Sequence, residues 1–255
     1  MQGTEHPPAV GATMADWLAL HGVSAGDCAA VLALALPVGP LPKKARAGPP
    51  SDLVPSGLVP DAVWRDVAAA LAARLPVAGP QIARTRAGCR TNFAPDIMRF
   101  PRAFTLQDAA LPPYVSCPCT GGIGDLLVIA HEFGHALQLI ASAGRPVPPV
   151  ARETCACLCE HWYLAHLQAA RPMLHAPLAA LWRAKSGRAM GAGIARLHLA
   201  LADPAARYSY QWNYPMARIL AHHFAQTADR AAIWRLFTAE ISLRDLIQQM
   251  LAGLR

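Results

Sequence analysis

The sequence predicts a mainly α protein with a small β-sheet, on three observations. Alanine-rich patterns of helical period recur from Asp61 onward, as in D-A-V-W-R-D-V-A-A-A-L-A-A-R-L. Residues Asp125 to Ile140 are apolar on nearly every side, the mark of a buried helix. Strand-like segments are few, and the clearest is Tyr114–Cys119. A chain of 255 residues with 54% apolar content can bury a sizeable core as one domain, or one with a small appendage.

Three regions follow in order. Residues 1–36 read as a helical hairpin, Thr13 to His21 and then Ser24 to Leu36, with Ser24 and Asp27 forming a capping-box-like start. A helix–Gly–helix unit is also the outline of a DNA-binding helix-turn-helix. No basic recognition residues follow, so a packing hairpin is expected and no nucleic-acid partner. Residues 37–60 hold seven prolines and the cluster Lys43-Lys44-Ala45-Arg46, which predicts an irregular linker or a surface strap. Residues 61–255 carry the remaining helices, with Asp61 a suitable N-cap for the first of them.

The net charge is +7, with 20 Arg and 3 Lys against 16 acids. Arg84, Arg86 and Arg90 are the nearest thing to a cluster. Positive charge alone permits nucleic acid, a membrane surface or an acidic peptide as a partner, but without a basic block or interleaved aromatics a solvated basic surface is the expected reading. The seven cysteines are odd in number, and the C-x-C pairs are too close for ordinary disulfide geometry, which points to a reducing compartment. Cysteine as a small buried hydrophobe is the expectation; a second metal site from Cys155 and Cys159 with Cys117 or Cys119 is the alternative. No basic n-region opens the chain and no apolar run reaches 18 residues, so a soluble cytoplasmic protein is expected.

The most informative segment is H-E-F-G-H at 131–135. His131 and His135 are four apart and project from one helix face. Two neutral imidazoles there can hold Zn²⁺ at about 2.0–2.1 Å. Glu132 stands beside them, where a carboxylate can take a proton from an activated water. Positions 131, 135 and 138 form a single polar stripe on an otherwise apolar helix, and buried polar groups need partners. Catalytic zinc usually takes a third protein ligand. The run A-G-R-P-V-P-P-V breaks the helix after Gly144, and a second helix beginning near Glu153 would bring a carboxylate back over the histidines. On spacing alone Glu153, Glu160 and His161 all compete for that place.

The stretch P-Y-V-S-C-P-C-T-G-G-I-G-D-L-L-V-I-A-H-E-F-G-H-A-L-Q resembles the zinc helix and preceding strand of the thimet oligopeptidase and oligoendopeptidase F family. That family pairs an H-E-x-G-H helix with E-x-x-S-x-x-x-E-N-W on the next helix, similar to R-E-T-C-A-C-L-C-E-H-W here. It also has a His twelve residues before a Tyr in a Y-x-Y-x-W run, similar to His198 and Y-S-Y-Q-W at 208–212. The resemblance covers roughly residues 80–255. It lacks the family's large preceding helical lobe, and Arg207 stands where a second Tyr is often found.

The resemblance implies a zincin-like core that hydrolyses peptide bonds. Zn²⁺ would be held by His131, His135 and Glu153, Glu132 would be the base, and Tyr210 with His198 would stabilise the oxyanion. Glu160, Tyr208, Tyr114 and Gly121 would lie behind the ligands or along the substrate. The strand at Tyr114–Cys119 would pair with an extended peptide or protein substrate. With the lobe missing, a more open cleft is expected. Two other classes stay open: a non-peptidase zinc hydrolase or modifying enzyme, and a zinc-stabilised binding module.

Overall fold

The computed structural model describes residues 11–34, 54–107, 111–226 and 229–253. Among these, ten α-helices and one three-stranded sheet confirm a mainly helical chain. The last residues of the predicted second helix and residues 37–53 of the proline-rich strap lie outside the described residues.

The N-terminal hairpin is α1, Met14–His21, and α2, Ala25–Ala33. Both begin with reciprocal capping boxes: Thr13 with Asp16, and Ser24 with Asp27. The first of these was not anticipated. Met14, Trp17 and Cys28 are fully buried, so the hairpin shares its core with the rest of the chain. Trp17 Nε1 donates to Asn213 Oδ1 at 2.8 Å, and Thr13 bridges Arg207. The end of the strap is also tied down. Ser56 N–H donates to Gly121 O at 2.9 Å, and Ile123 N–H to Val54 O at 2.7 Å.

Helix α3, Pro60–Arg74, begins one residue before the expected cap. Pro60 occupies the first turn, where its missing N–H is no loss, and Asp61 instead faces the positive end of the helix dipole. Helix α4, Gly79–Gly88, leads into β1, Arg90–Asn92. Strand β2, Phe104–Leu106, runs antiparallel to β3, Tyr114–Ser116, and β1 runs parallel to β3 on its other side. The order is therefore β1-β3-β2. The expected strand at 114–119 sits at the sheet centre with both edges occupied, so it cannot accept a substrate strand. The outer edge next to the site belongs to β2.

Helix α5, Gly124–Ser142, carries H-E-F-G-H, and α6, Pro149–Ala170, returns against it. Ala143 and Gly144 both take the left-handed conformation and end α5 before the prolines. Helix α6 starts four residues earlier than the expected Glu153. Its N-terminal Val150 N–H is bound by His21 Nε2 at 3.1 Å, in place of a side-chain cap from its own sequence. Helices α7, Pro172–Leu201, α8, Asn213–Gln226, α9, Arg230–Phe237, and α10, Leu243–Gly253, complete the core, with α6 packed between α5 and α8.

Candidate functional site

The α5–α6 approach sets the site. A Cβ built on Gly134 would stand 2.6 Å from Ala156 Cα and 3.0 Å from Cys159 Sγ, so only glycine lets the two helices come this close. That closeness brings Glu153 of α6 over the two histidines of α5. His131 Nε2 and His135 Nε2 are 3.2 Å apart. Glu153 Oε2 is 3.4 Å from the first and Oε1 is 3.8 Å from the second. The three residues offer ligand atoms within 4.8 Å of one another. Glu153 is 3% exposed, yet its Oε2 has no hydrogen-bond partner. Two ring nitrogens and a buried, unsatisfied carboxylate oxygen converging on one point fit a cation of borderline hardness such as Zn²⁺. The imidazoles keep 19% and 18% of their side-chain surface, so the point opens to solvent.

Electrostatics agree with this donor set. Burial holds His135 down to about 3, leaving it neutral with a lone pair to give. Burial works against charge on His131 too, but Cys157, Glu153 and Glu160 outweigh it and raise that imidazole. Glu153 would be raised by burial, yet His135, His131 and the Tyr210 hydroxyl hold it at about 2. A metal ion here would displace the His131 proton that Glu153 otherwise attracts.

Glu160, a competitor for the third-ligand place, lies behind His131. Its Oε1 is 2.7 Å from His131 Nδ1, and its Oε2 accepts from Trp182 Nε1 at 3.1 Å and Arg218 NH1 at 3.3 Å. Burial opposes its charge; Arg218 and then His131 hold it at about 2. Cys157, His131 and Glu160 also fall within ligand distance of one another, but both Glu160 oxygens are already engaged. His161 is partly buried against Trp182, with ring centroids 4.7 Å apart, and joins neither group.

Glu132 is 5% exposed and held from the sheet: Thr105 Oγ1 donates to its Oε2 at 2.7 Å. Opposite stands Tyr210, on a 3₁₀ turn, Tyr210–Trp212, whose hydroxyl donates to Glu153 Oε1 at 2.6 Å. Burial and Glu153 raise its phenol well above the ordinary tyrosine range, so it stays a proton-bearing donor. These groups line a cavity of about 110 Å³ with Arg152, Gln138 and Tyr214.

Other expected residues fall elsewhere. His198 is exposed near the end of α7 and is not among the residues lining this cavity. Tyr208 packs on Trp212 and accepts from Asn213 Nδ2 at 3.1 Å, bracing the turn rather than facing the cavity. Tyr114 accepts from Asn92 Nδ2 at 3.3 Å within the sheet. Gly121, at φ +81°, donates to Asp125 Oδ2 at 2.7 Å and shapes the start of α5. All seven cysteines are free thiols, and among the described residues no group of three potential ligands includes Cys117, Cys119, Cys155 or Cys159.

Thr105, Arg152, Tyr214, Trp182 and Arg218 were not anticipated as site residues. Tyr214 had a signal, four residues after Tyr210, with ring centroids 5.7 Å apart. Thr105 and Arg218 had none, because a three-residue strand and a mid-helix arginine carry no motif. No described helix is long and apolar enough to cross a membrane. Comparison with protein-family models, characterised proteins and solved structures returned no match.

Proposed function

We propose that this protein is a zinc-dependent peptidase with a zincin-like core, related to the oligopeptidase family its motifs resemble. One observation carries the reading: His131, His135 and Glu153 converge while Glu132, not needed as a ligand, is held beside them. A purely structural metal site has no use for that carboxylate. Zn²⁺ held by His131, His135 and Glu153 would supply Lewis acidity, acidifying water and polarising a carbonyl.

The chain's own residues do the rest. Glu132 takes a proton from the attacking water and passes it to the leaving amine as the C–N bond breaks. Its buried carboxylate is aimed by Thr105, so little reorganisation is needed. Tyr210 would turn the one hydroxyl proton it gives to Glu153 Oε1 in the free site toward the charge developing on the carbonyl oxygen. Glu160 receives His131 Nδ1–H, fixing the tautomer that leaves Nε2 for the metal. His198 has no part in this scheme. A peptide is the favoured substrate because β2, whose Phe104 and Thr105 line the cavity, is an edge of the sheet among the described residues, where an extended chain could add a strand.

The test is a peptide-library digest read by mass spectrometry. Cleavage that needs zinc and disappears in Glu132→Gln supports the proposal. Absence of any cleavage by zinc-loaded protein, or cleavage retained in Glu132→Gln, overturns it.

A further inference from the structure

The loop that joins β1 to β2 carries an apolar tip. Of the ten large apolar side chains exposed among the described residues, three fall within residues 97–100, and the others stand singly along the chain. Met98 is 89% exposed, Ile97 56% and Phe100 36%. Single exposed apolar side chains are ordinary, and a cluster is not. The tip is a built turn. Asp96 Oδ1 accepts from Met98 N–H at 3.0 Å, and Asp96 O accepts from Arg99 N–H at 3.1 Å and Phe100 N–H at 2.7 Å. Pro95 and Pro101 bracket the turn and restrict the backbone on either side. Ile97 and Met98 are therefore held out toward solvent by the turn's own hydrogen bonds.

Cations surround the tip. Phe100 packs on Phe104 and Phe104 on Tyr114, with ring centroids 5.7 and 6.1 Å apart, which ties the turn to the sheet. The Arg99 guanidinium lies 5.3 Å from the Phe100 centroid, and that of Arg90 lies 5.7 Å from the Tyr114 centroid. Arg102 is exposed, just beyond Pro101. Arg90, Arg99 and Arg102 make no ion pair among the described residues. Asp96 is the only acid in residues 90–107, and its carboxylate is turned into the loop onto Met98 N–H.

We propose that the 97–100 turn docks this protein on an anionic membrane surface. Ile97, Met98 and Phe100 enter the boundary between headgroups and acyl chains, while Arg90, Arg99 and Arg102 meet lipid phosphates. A bilayer takes up a small protruding tip without a shaped counterpart. A tip of three side chains falls far below the roughly 800 Å² per partner of a stable protein interface. Single-stranded nucleic acid stacks on open ring faces. Here guanidiniums lie over Tyr114 and Phe100, and the most exposed side chains, Met98 and Ile97, have no ring to stack. Ala103 and Phe104, just past the turn, line the central cavity, so docking sets that cavity beside the bilayer. The docking itself needs neither metal nor catalysis.

The test is co-sedimentation of the full chain with sucrose-loaded vesicles of phosphatidylcholine containing about 30% phosphatidylglycerol, against vesicles of phosphatidylcholine alone. The anionic vesicles should bind about tenfold more tightly, and added salt should shrink the difference. The paired change Ile97→Ser with Met98→Ser should remove most of the binding. Arg99→Gln and Arg102→Gln should each weaken it about fivefold. All four positions are exposed, so the melting temperature should stay as in the wild type. Met98→Trp gives a second reading: the emission it adds should shift to the blue on anionic vesicles and be quenched by brominated acyl chains. Vesicle binding with these dependences upholds the inference even if no peptide is cut. No binding to anionic vesicles, or binding that the paired serine change leaves untouched, overturns it. Self-association without lipid that the paired change abolishes also overturns it, as does a single-stranded oligonucleotide that binds more tightly than the vesicles through the same turn.

Discussion

His131 Nδ1 and Glu160 Oε1 lie 2.7 Å apart, and this contact assigns two similar glutamates to different tasks. Glu153 faces the Nε2 side of the imidazole pair and Glu160 the Nδ1 side of His131. A ligand and an orienting group have different signatures. Purified protein should carry about one zinc per chain. His131→Ala, His135→Ala and Glu153→Ala should each lose most of it. Glu160→Gln should weaken zinc binding by about 10- to 100-fold without abolishing it. Chelator competition measures both, and full zinc retention in Glu153→Ala would reject the assignment.

Glu132→Gln should bind zinc as the wild type does, keep its thermal stability, and lose turnover. Thr105→Val should leave the metal in place and lower kcat, because it removes the donor that aims the carboxylate. Metal content and kcat measured on the same preparations separate these effects.

Tyr210→Phe should lower kcat by about 10²–10³ with a smaller change in KM, as for other oxyanion donors. His198→Ala, at an exposed position away from the cavity, should change kcat by less than about twofold and leave stability within about 0.5 kcal/mol. A large kcat loss for His198→Ala with unchanged stability would return that residue to the site.

His21 makes the fold sensitive to acid. It must be neutral, since Nδ1–H donates to Trp17 O at 2.7 Å while Nε2 accepts from Val150 N–H. Burial lowers its pKa from 6.5 to about 4. Because the folded value is depressed, the unfolded chain binds the extra proton between those values. The contribution is complete above pH 6.5 and is lost as pH falls toward 4, on the order of 3 kcal/mol. His161, also lowered by burial to about 4, adds to the same slope. Urea midpoints at pH 7.5 and 5 should therefore differ more in the wild type than in His21→Gln.

Gly134→Ala should destabilise by about 1–3 kcal/mol or more, because the added methyl meets Ala156 backbone and not a movable side-chain tip. If α6 shifts to relieve the contact, Glu153 moves with it, so zinc affinity should fall together with the melting temperature. Wild-type stability in Gly134→Ala would show that the helices are not in this contact.

The site was partly legible in the sequence for physical reasons. His131, Glu132 and His135 lie on one helix, so spacing alone relates them. Glu153 needed a second helix to return at the correct register, and spacing left it level with Glu160 and His161 until the fold separated them. Thr105 and Arg218 reach the site through tertiary packing, which no local pattern records. The helices were readable from period and caps, with Pro60 and Pro149 shifting starts because proline occupies a first turn without loss. The centre position of the Tyr114 strand was not readable, since a three-residue strand does not reveal how many neighbours it has.

The Trp17–Asn213 bond joins residues 196 apart in sequence. Ala12 and helix α1 leave the ribosome early, but their partners at Tyr208, Ala206 and Asn213 emerge only after most of the chain has been made. The same late segment brings Tyr210. Closure of the first helix and completion of the candidate cavity therefore both wait on the same late segment, across a very long loop. A nascent chain that stalls before residue 213 has its histidines and all three site glutamates, yet lacks the clasp that seats α1 and the anchor Asn213 supplies to Tyr210. Such a fragment has no finished site.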